Sequence, residues 1–286
     1  MKMKRFSILI MVLAFLMTVP TIAGAQARIN TKKVRIADIS TRTTKVVLGG
    51  NDMIDSALKE EVSARWRISP YEFCTAEEYK SLKESTDYYF LLIARSTDRK
   101  YDGILTLTLM KGGKYGAEDP MKRPIDVVSI PLCSSQFPSG REIAFLPAFL
   151  DIIQDYASKA AMSDKTGYAG LEIYTKKIVS SAHKTILFCE DDAAPINDPV
   201  FRRKHFDEDM LIVDEETADR ALADGTFNTL VSYTVAPFDP ETGSVCYKML
   251  IDAGSHELFY FKRHKISLKK WAGFLPKDIK LISAAR

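Results

Sequence analysis

Apolar residues along this chain fall into short strand-like runs and into longer stretches with helical spacing. Residues 28–50 partly alternate polar and apolar character and end in Lys45-Val46-Val47-Leu48-Gly49-Gly50, a strand closing on glycine. Asn51 or Asp52 can then cap a helix over 52–66, in which Met53, Ile54, Ala57, Leu58, Val62 and Trp66 follow helical spacing. A short strand is expected at 67–70. Thr75 with Glu78 three residues later forms a capping box, so a second helix should run to about Glu84. Strands are expected at 87–97 and 101–110, joined by the polar turn Asp98-Arg99-Lys100, and another at 126–133. An amphipathic helix covers 147–162, with Phe149, Leu150, Ile153, Tyr156 and Ala160 on one face.

The second half repeats this order with altered residues. Residues 184–190 (KTILFCE) read as an apolar strand, and Asp191-Asp192 follow it as Asn51-Asp52 follow the first. The next helix is interrupted by Pro195 and Pro199. A short strand at 210–214, a helix at 215–223 and strands at 229–237, 245–251 and 257–266 complete the set, with a closing helix expected at 268–274. Matching elements lie about 139–144 residues apart, and the match is one of pattern rather than identity. The expected fold class is therefore α/β (α+β), two similar β-α-β-α-β-β mixed-sheet units. The expected boundaries are 26–163 and 164–286, after an amino-terminal segment of residues 1–25.

That segment has the three parts of a secretory signal peptide. Lys2, Lys4 and Arg5 form its basic start, residues 6–19 its apolar run, and Ala23-Gly24-Ala25 its cleavage site, so the cut should fall between Ala25 and Gln26. The run has 14 residues, short of the roughly 20 needed to span a bilayer. No cysteine lies near the cut, which argues against a lipoprotein. The leader points to a bacterial periplasm or exterior and to a mature chain without a transmembrane segment. It also changes the charge balance. The 40 Lys+Arg against 37 Asp+Glu give +3, all of it carried by the leader, and the mature chain is neutral. Nucleic-acid binding, which needs a basic footprint, is not expected.

The stretch KVVLGGNDMIDSALKEEVSARWRISPYEF, the helix through Tyr79, and the strands DYYFLLIA and GILTLTLM carry a resemblance to known families. Their order resembles the amino-terminal domain of TolB-type periplasmic proteins and the periplasmic domain of curli-secretion lipoproteins, over about residues 40–162. The resemblance implies a non-catalytic α/β module working in envelope assemblies with a protein partner, and it brings no catalytic residues. The lipid-attachment cysteine of the curli family and the propeller of TolB are absent.

Candidate chemistry is sparse. Between Glu190 and Asp224 stand twelve acids and four bases. Glu190, Asp191 and Asp192 follow a strand, where carboxylates can hold Mg²⁺ or Ca²⁺. With Asp209 or Asp214 they would suit a metal-dependent hydrolase, the alternative to a binding module. Helix capping and solvation account for the same acids without a metal, and no cofactor is called for. Phe261–Lys270 is basic, which suits either pairing with the acidic stretch or an edge strand guarded by lysine. Cys74, Cys133, Cys189 and Cys246 form no CxxC pair. In an oxidising compartment they allow three complete disulfide pairings, and their apolar neighbours equally suit buried thiols. Cys189, with His183 six residues before it, is the nearest approach to a nucleophile, but the carboxylates after it would raise its pKa.

Overall fold

In a computed structural model the described residues are 33–95, 103–136 and 138–286. The expected leader, residues 1–25, and the expected turn at 98–100 therefore lie outside the described residues. The first unit comprises β1 (Thr43–Val47), α1 (Asp52–Arg65), β2 (Tyr71–Cys74), α2 (Ala76–Leu82), β3 (Tyr88–Arg95), β4 (Ile104–Lys111) and β5 (Ile125–Ser134). After it come a short helix α3 (Arg141–Ala144) and a long one, α4 (Leu146–Met162). A link of α5 (Asp164–Ala169) and a 3₁₀ stretch (Gly170–Ser181) leads to the second unit. This holds β6 (Thr185–Cys189), α6 (Pro199–His205), β7 (Met210–Val213), α7 (Glu215–Ala223), β8 (Thr229–Val235), β9 (Val245–Asp252), β10 (Leu258–Lys265) and α8 (Pro276–Ala285).

The two five-stranded sheets have one topology, β2-β1-β3-β4-β5 and β7-β6-β8-β9-β10. In each, the first strand pairs parallel with the second and third, and the last three form an antiparallel meander. From Thr43 to Thr185, Tyr71 to Met210, Tyr88 to Thr229 and Ile104 to Val245, equivalent strands start 142, 139, 141 and 141 residues apart. The expected α/β class with two similar sheet units holds.

Local chemistry explains most boundaries. Asn51 caps α1 through the Ile54 N–H, and Thr75 and Glu78 close the capping box of α2. Three expectations need correction. The strand expected at 67–70 lies later, at Tyr71–Cys74, because Gln154 of α4 accepts from the Arg67 N–H (2.6 Å) and the Ile68 N–H (3.2 Å), taking both out of the ladder. Asp191 and Asp192 cap no helix; they sit in a turn, and α6 starts at Pro199 under an Asp198 cap, with proline at a first-turn position that needs no N–H. Residues 268–274 form a tight hairpin and an extended run, and the closing helix begins only at Pro276. Gly273 explains the run: its φ is +107°, and a Cβ there would stand 2.6 Å from the Asp192 carbonyl oxygen.

Each sheet has one face covered by its unit's first and last helices and an opposite face covered by its second. In the first unit, Leu58 and Val62 of α1 and Phe149, Ile153 and Tyr156 of α4 join Val46, Leu91, Leu107, Leu109 and Ile130 of the sheet. The same core continues into the opposite face of the second sheet, through Val231, Tyr233, Met249, Ile251 and Phe261, and takes in Ala218 and Leu222 of α7. The second unit's α8 covers its other face, where Ile279 and Ile282 meet Ile186, Phe188, Leu230 and Leu250. The units thus stack in tandem, the helix-pair face of the first on the opposite face of the second. α4 lies between the two sheets, and each of its fully buried large side chains contributes roughly 1.5–3 kcal/mol. Among the described residues no helix is long and apolar enough to cross a membrane.

Candidate functional site

The acidic stretch meets the seam between the units at the carboxyl end of β6. Glu190 and Asp191 are exposed there, whereas Asp192 is buried. Its carboxylate accepts from the Ser232 hydroxyl (2.5 Å) and the Thr234 hydroxyl (2.6 Å), both on β8, and from Arg141 Nη1 at 3.4 Å. Ser232 Oγ in turn accepts from the Cys189 N–H (2.9 Å), which fixes the end of β6 against β8.

Arg141 arrives from the first unit. The left-handed Gly140 (φ +94°) turns the chain into α3 and aims the guanidinium into the seam. There Nε donates to Asp219 at 2.8 Å and Nη2 to the Ser232 carbonyl at 3.2 Å, while the guanidinium lies 5.2 Å and 5.1 Å from the Phe145 and Tyr233 ring centres. The Tyr233 hydroxyl donates to the Leu132 carbonyl (2.6 Å), a second polar tie between units. Burial alone would depress the Arg141 pKa, but the Asp192 and Asp219 charges raise it above the ordinary value. Burial raises the Asp219 pKa against the opposing pull of Arg141. The network is satisfied by its own members, as a buried charge requires.

Above it opens a cleft of about 330 Å³, bordered by Ser139, Arg141, Asp191, Glu215, Thr234 and Phe238. Its rim is acidic, and burial raises the Glu215 pKa. Phe238 stands 61% exposed at the edge.

The structure brings Asp192 and Asp219 together around Arg141 but does not bring Glu190 and Asp191 into a ligand set with Asp192. Asp209 and Asp214 are exposed elsewhere, and Asp214 caps α7 through the Thr217 N–H (2.7 Å). Among the described residues no group of three or more His, Cys, Asp or Glu side chains is placed to hold a metal ion. All four cysteines are free and buried, so none of the possible disulfides forms. Burial raises every thiol: Cys133 to about 12, Cys246 to about 11, and Cys189 with help from Asp192. Protonated thiols of this kind are poor nucleophiles.

Sequence reasoning missed Arg141, an isolated base in a turn, and it missed a second inter-unit contact. His256, in the β9–β10 turn with φ +57°, brings Nδ1 to 2.7 Å from Asp151 of α4, and Arg65 Nη1 reaches the same oxygen at 3.1 Å. The turn itself accounts for the left-handed histidine: the Asp252 N–H donates to the Glu257 carbonyl and the His256 N–H to the Asp252 carbonyl, and histidine is among the residues that tolerate that region. Only the histidine backbone angle and the distant carboxylate together define this clip, and neither is visible in a linear pattern.

Comparison of the chain with family models, with curated proteins and with solved structures finds no match.

Proposed function

We propose that this chain is a non-catalytic binding and assembly component of the bacterial cell envelope, exported by its leader and acting through a protein partner. The leader supports the compartment, and the TolB-like and curli-like order of elements supports the role. The observation that carries the reading is the seam cleft. Its floor is locked by the Arg141–Asp192–Asp219 network, while its rim leaves Asp191, Glu215 and Phe238 facing solvent. A rigid floor with an acidic, aromatic rim suits a basic segment of a partner, because a preorganised surface spends little ordering entropy on binding.

The test is crosslinking in an envelope fraction with a photoreactive residue at position 238, followed by the same experiment in Asp191→Lys/Glu215→Lys. A discrete crosslinked partner that disappears in the charge-reversed variant is the expected outcome. Absence of any partner, or one indifferent to both reversals, would overturn the reading.

A further inference from the structure

The polypeptide between β10 and α8 makes a second surface, independent of the seam cleft. Ser267 and Lys270 exchange both backbone hydrogen bonds at 2.9 Å, which closes a hairpin with Leu268 and Lys269 as its two corner residues. Leu268 is 97% exposed, and Trp271, one residue beyond the closing pair, is 53% exposed. The hairpin is fixed at its base. His264 Nε2 meets the Trp271 carbonyl at 2.8 Å, the Gly273 N–H donates to Cys246 Sγ at 3.2 Å, and the Phe274 N–H donates to the Asp192 carbonyl at 2.7 Å. On the other side Ile266 exchanges backbone hydrogen bonds with Gly243 and Ser244. Among the described residues nothing covers the leucine at the tip of this rigid turn.

Basic groups surround that tip. Lys265, Lys269 and Lys270 are exposed, and no ion pair involves them among the described residues. Lys262 lies over the Tyr260 ring at 5.4 Å, and Arg263 reaches Glu172 at 3.9 Å. The β8–β9 turn next to the hairpin carries two acids, Asp239 and Glu241, which line a cleft with Arg95 and Gln136. β10 is an edge strand, and lysines on an edge guard against strand addition. That role accounts for Lys262 and Lys265. It does not account for an exposed leucine and tryptophan flanked by Lys269 and Lys270 beyond the strand's end.

We infer that the Ser267–Trp271 hairpin docks on an anionic phospholipid surface, with Leu268 and Trp271 entering the interfacial region and Lys265, Lys269 and Lys270 facing lipid phosphates. Tryptophan favours the membrane–water interface, leucine gains from leaving water, and each lysine near an anionic surface adds attraction. An acidic protein surface would satisfy the lysines but would not require the projecting apolar tip.

The native chain carries its own probe. Of its two tryptophans, Trp66 is 2% exposed and hydrogen-bonded to Ser69, so a change in emission on docking reports Trp271. Sedimentation with vesicles of phosphatidylcholine containing phosphatidylglycerol should recover the protein, shift its emission to the blue, and allow quenching by brominated acyl chains. Vesicles of phosphatidylcholine alone should bind far less. Lys265→Gln/Lys269→Gln/Lys270→Gln should weaken binding roughly a hundredfold, and Leu268→Asp about tenfold or more. All four positions are exposed, so folding is not at stake, and circular dichroism of each variant checks this. Failure to bind anionic vesicles would overturn the inference. So would binding that leaves Trp271 emission unchanged, or binding insensitive to Leu268→Asp. None of these outcomes depends on the seam cleft.

Discussion

The same sheet face is built twice in this molecule and finished in two ways. On the opposite face of the second sheet, Tyr247, Met249 and Phe261 occupy neighbouring positions on β9 and β10. The pairing of each meander onto its parallel strands places Thr106, Thr108 and Ser129 at the equivalent positions of the first sheet. In the second unit the apolar trio belongs to or packs on the core shared with α4. In the first unit the hydroxyls bond to one another instead, Thr106 to Thr108 at 3.1 Å and Thr108 to Ser129 at 2.9 Å. The part of that face under α2, around Phe90 and Met110, is apolar and buried. Tandem stacking uses two different surfaces, so it could continue from unit to unit without closing. The difference between the trios shows where it stops: an apolar face receives the neighbouring unit, and a hydroxyl-bearing face, its central Thr108 buried and Ser129 exposed, receives none among the described residues.

The comparison can be broken most severely at the seam. Phe149→Ala empties a fully buried site that touches the Tyr233 ring at a centroid distance of 5.2 Å. We expect a loss of about 3–5 kcal/mol in urea denaturation, shared by both units. Arg141→Met leaves the buried Asp192 and its neighbour Asp219 without their counter-charge and should lose roughly 3 kcal/mol. Adding Asp192→Asn should restore part of it, because a neutral amide needs no cation.

A gentler change sharpens the comparison by erasing it. Thr106→Tyr/Thr108→Met/Ser129→Phe gives the first unit the second unit's surface. Overpacking near Thr108 should lower stability by roughly 1–2 kcal/mol. The diagnostic result is in sedimentation velocity, where open-ended, concentration-dependent association should replace the parent's behaviour. An unassociated variant would show that the trio does not decide where stacking ends.

The smallest effect concerns the helix-pair faces. Leu107 in the first unit has its equivalent in Lys248 of the second, which is buried and donates to Asp278 at 2.5 Å. Burial would raise the Asp278 pKa. The Lys248 hydrogen bond and charge, the Leu275 N–H and the Tyr260 hydroxyl outweigh it and hold the carboxyl below its ordinary 3.8. Because the folded value is the lower one, this stabilisation is present in full above about pH 4 and is lost as pH falls through the depressed value. Stability followed by urea midpoints should therefore fall below pH 4 in the parent. The decline should be shallower in Lys248→Leu/Asp278→Leu, which restores the first unit's chemistry and should be near-neutral at pH 7.

Much of this architecture was legible in the sequence, and the reasons are local. Asn51, Thr75 with Glu78, and the 147–162 periodicity each act within a few residues, so α1, α2 and α4 could be read directly. The repeat was legible because strand length and spacing survive residue change. What failed depended on distant partners. Gln154, more than 80 residues away, displaces the strand expected at 67–70, and the Asp192 carbonyl crowds Gly273 where a closing helix was expected. The site was less legible still. In the sequence Asp192 stands beside Glu190 and Asp191, yet its partners are Ser232, Thr234 and Arg141, which lie 40, 42 and 51 residues away. Linear clustering of acids marks the segment but not the one carboxylate that turns inward.

The shared core can be tested directly because each unit carries one tryptophan, Trp66 in the first and Trp271 in the second. Trp271→Phe leaves a reporter of the first unit, and Trp66→Phe a reporter of the second. In each variant, urea unfolding followed by fluorescence should coincide with unfolding followed by far-ultraviolet circular dichroism, in a single transition. Two separated transitions, with either tryptophan reporting only its own unit, would contradict a core that runs continuously through α4 from one sheet to the other.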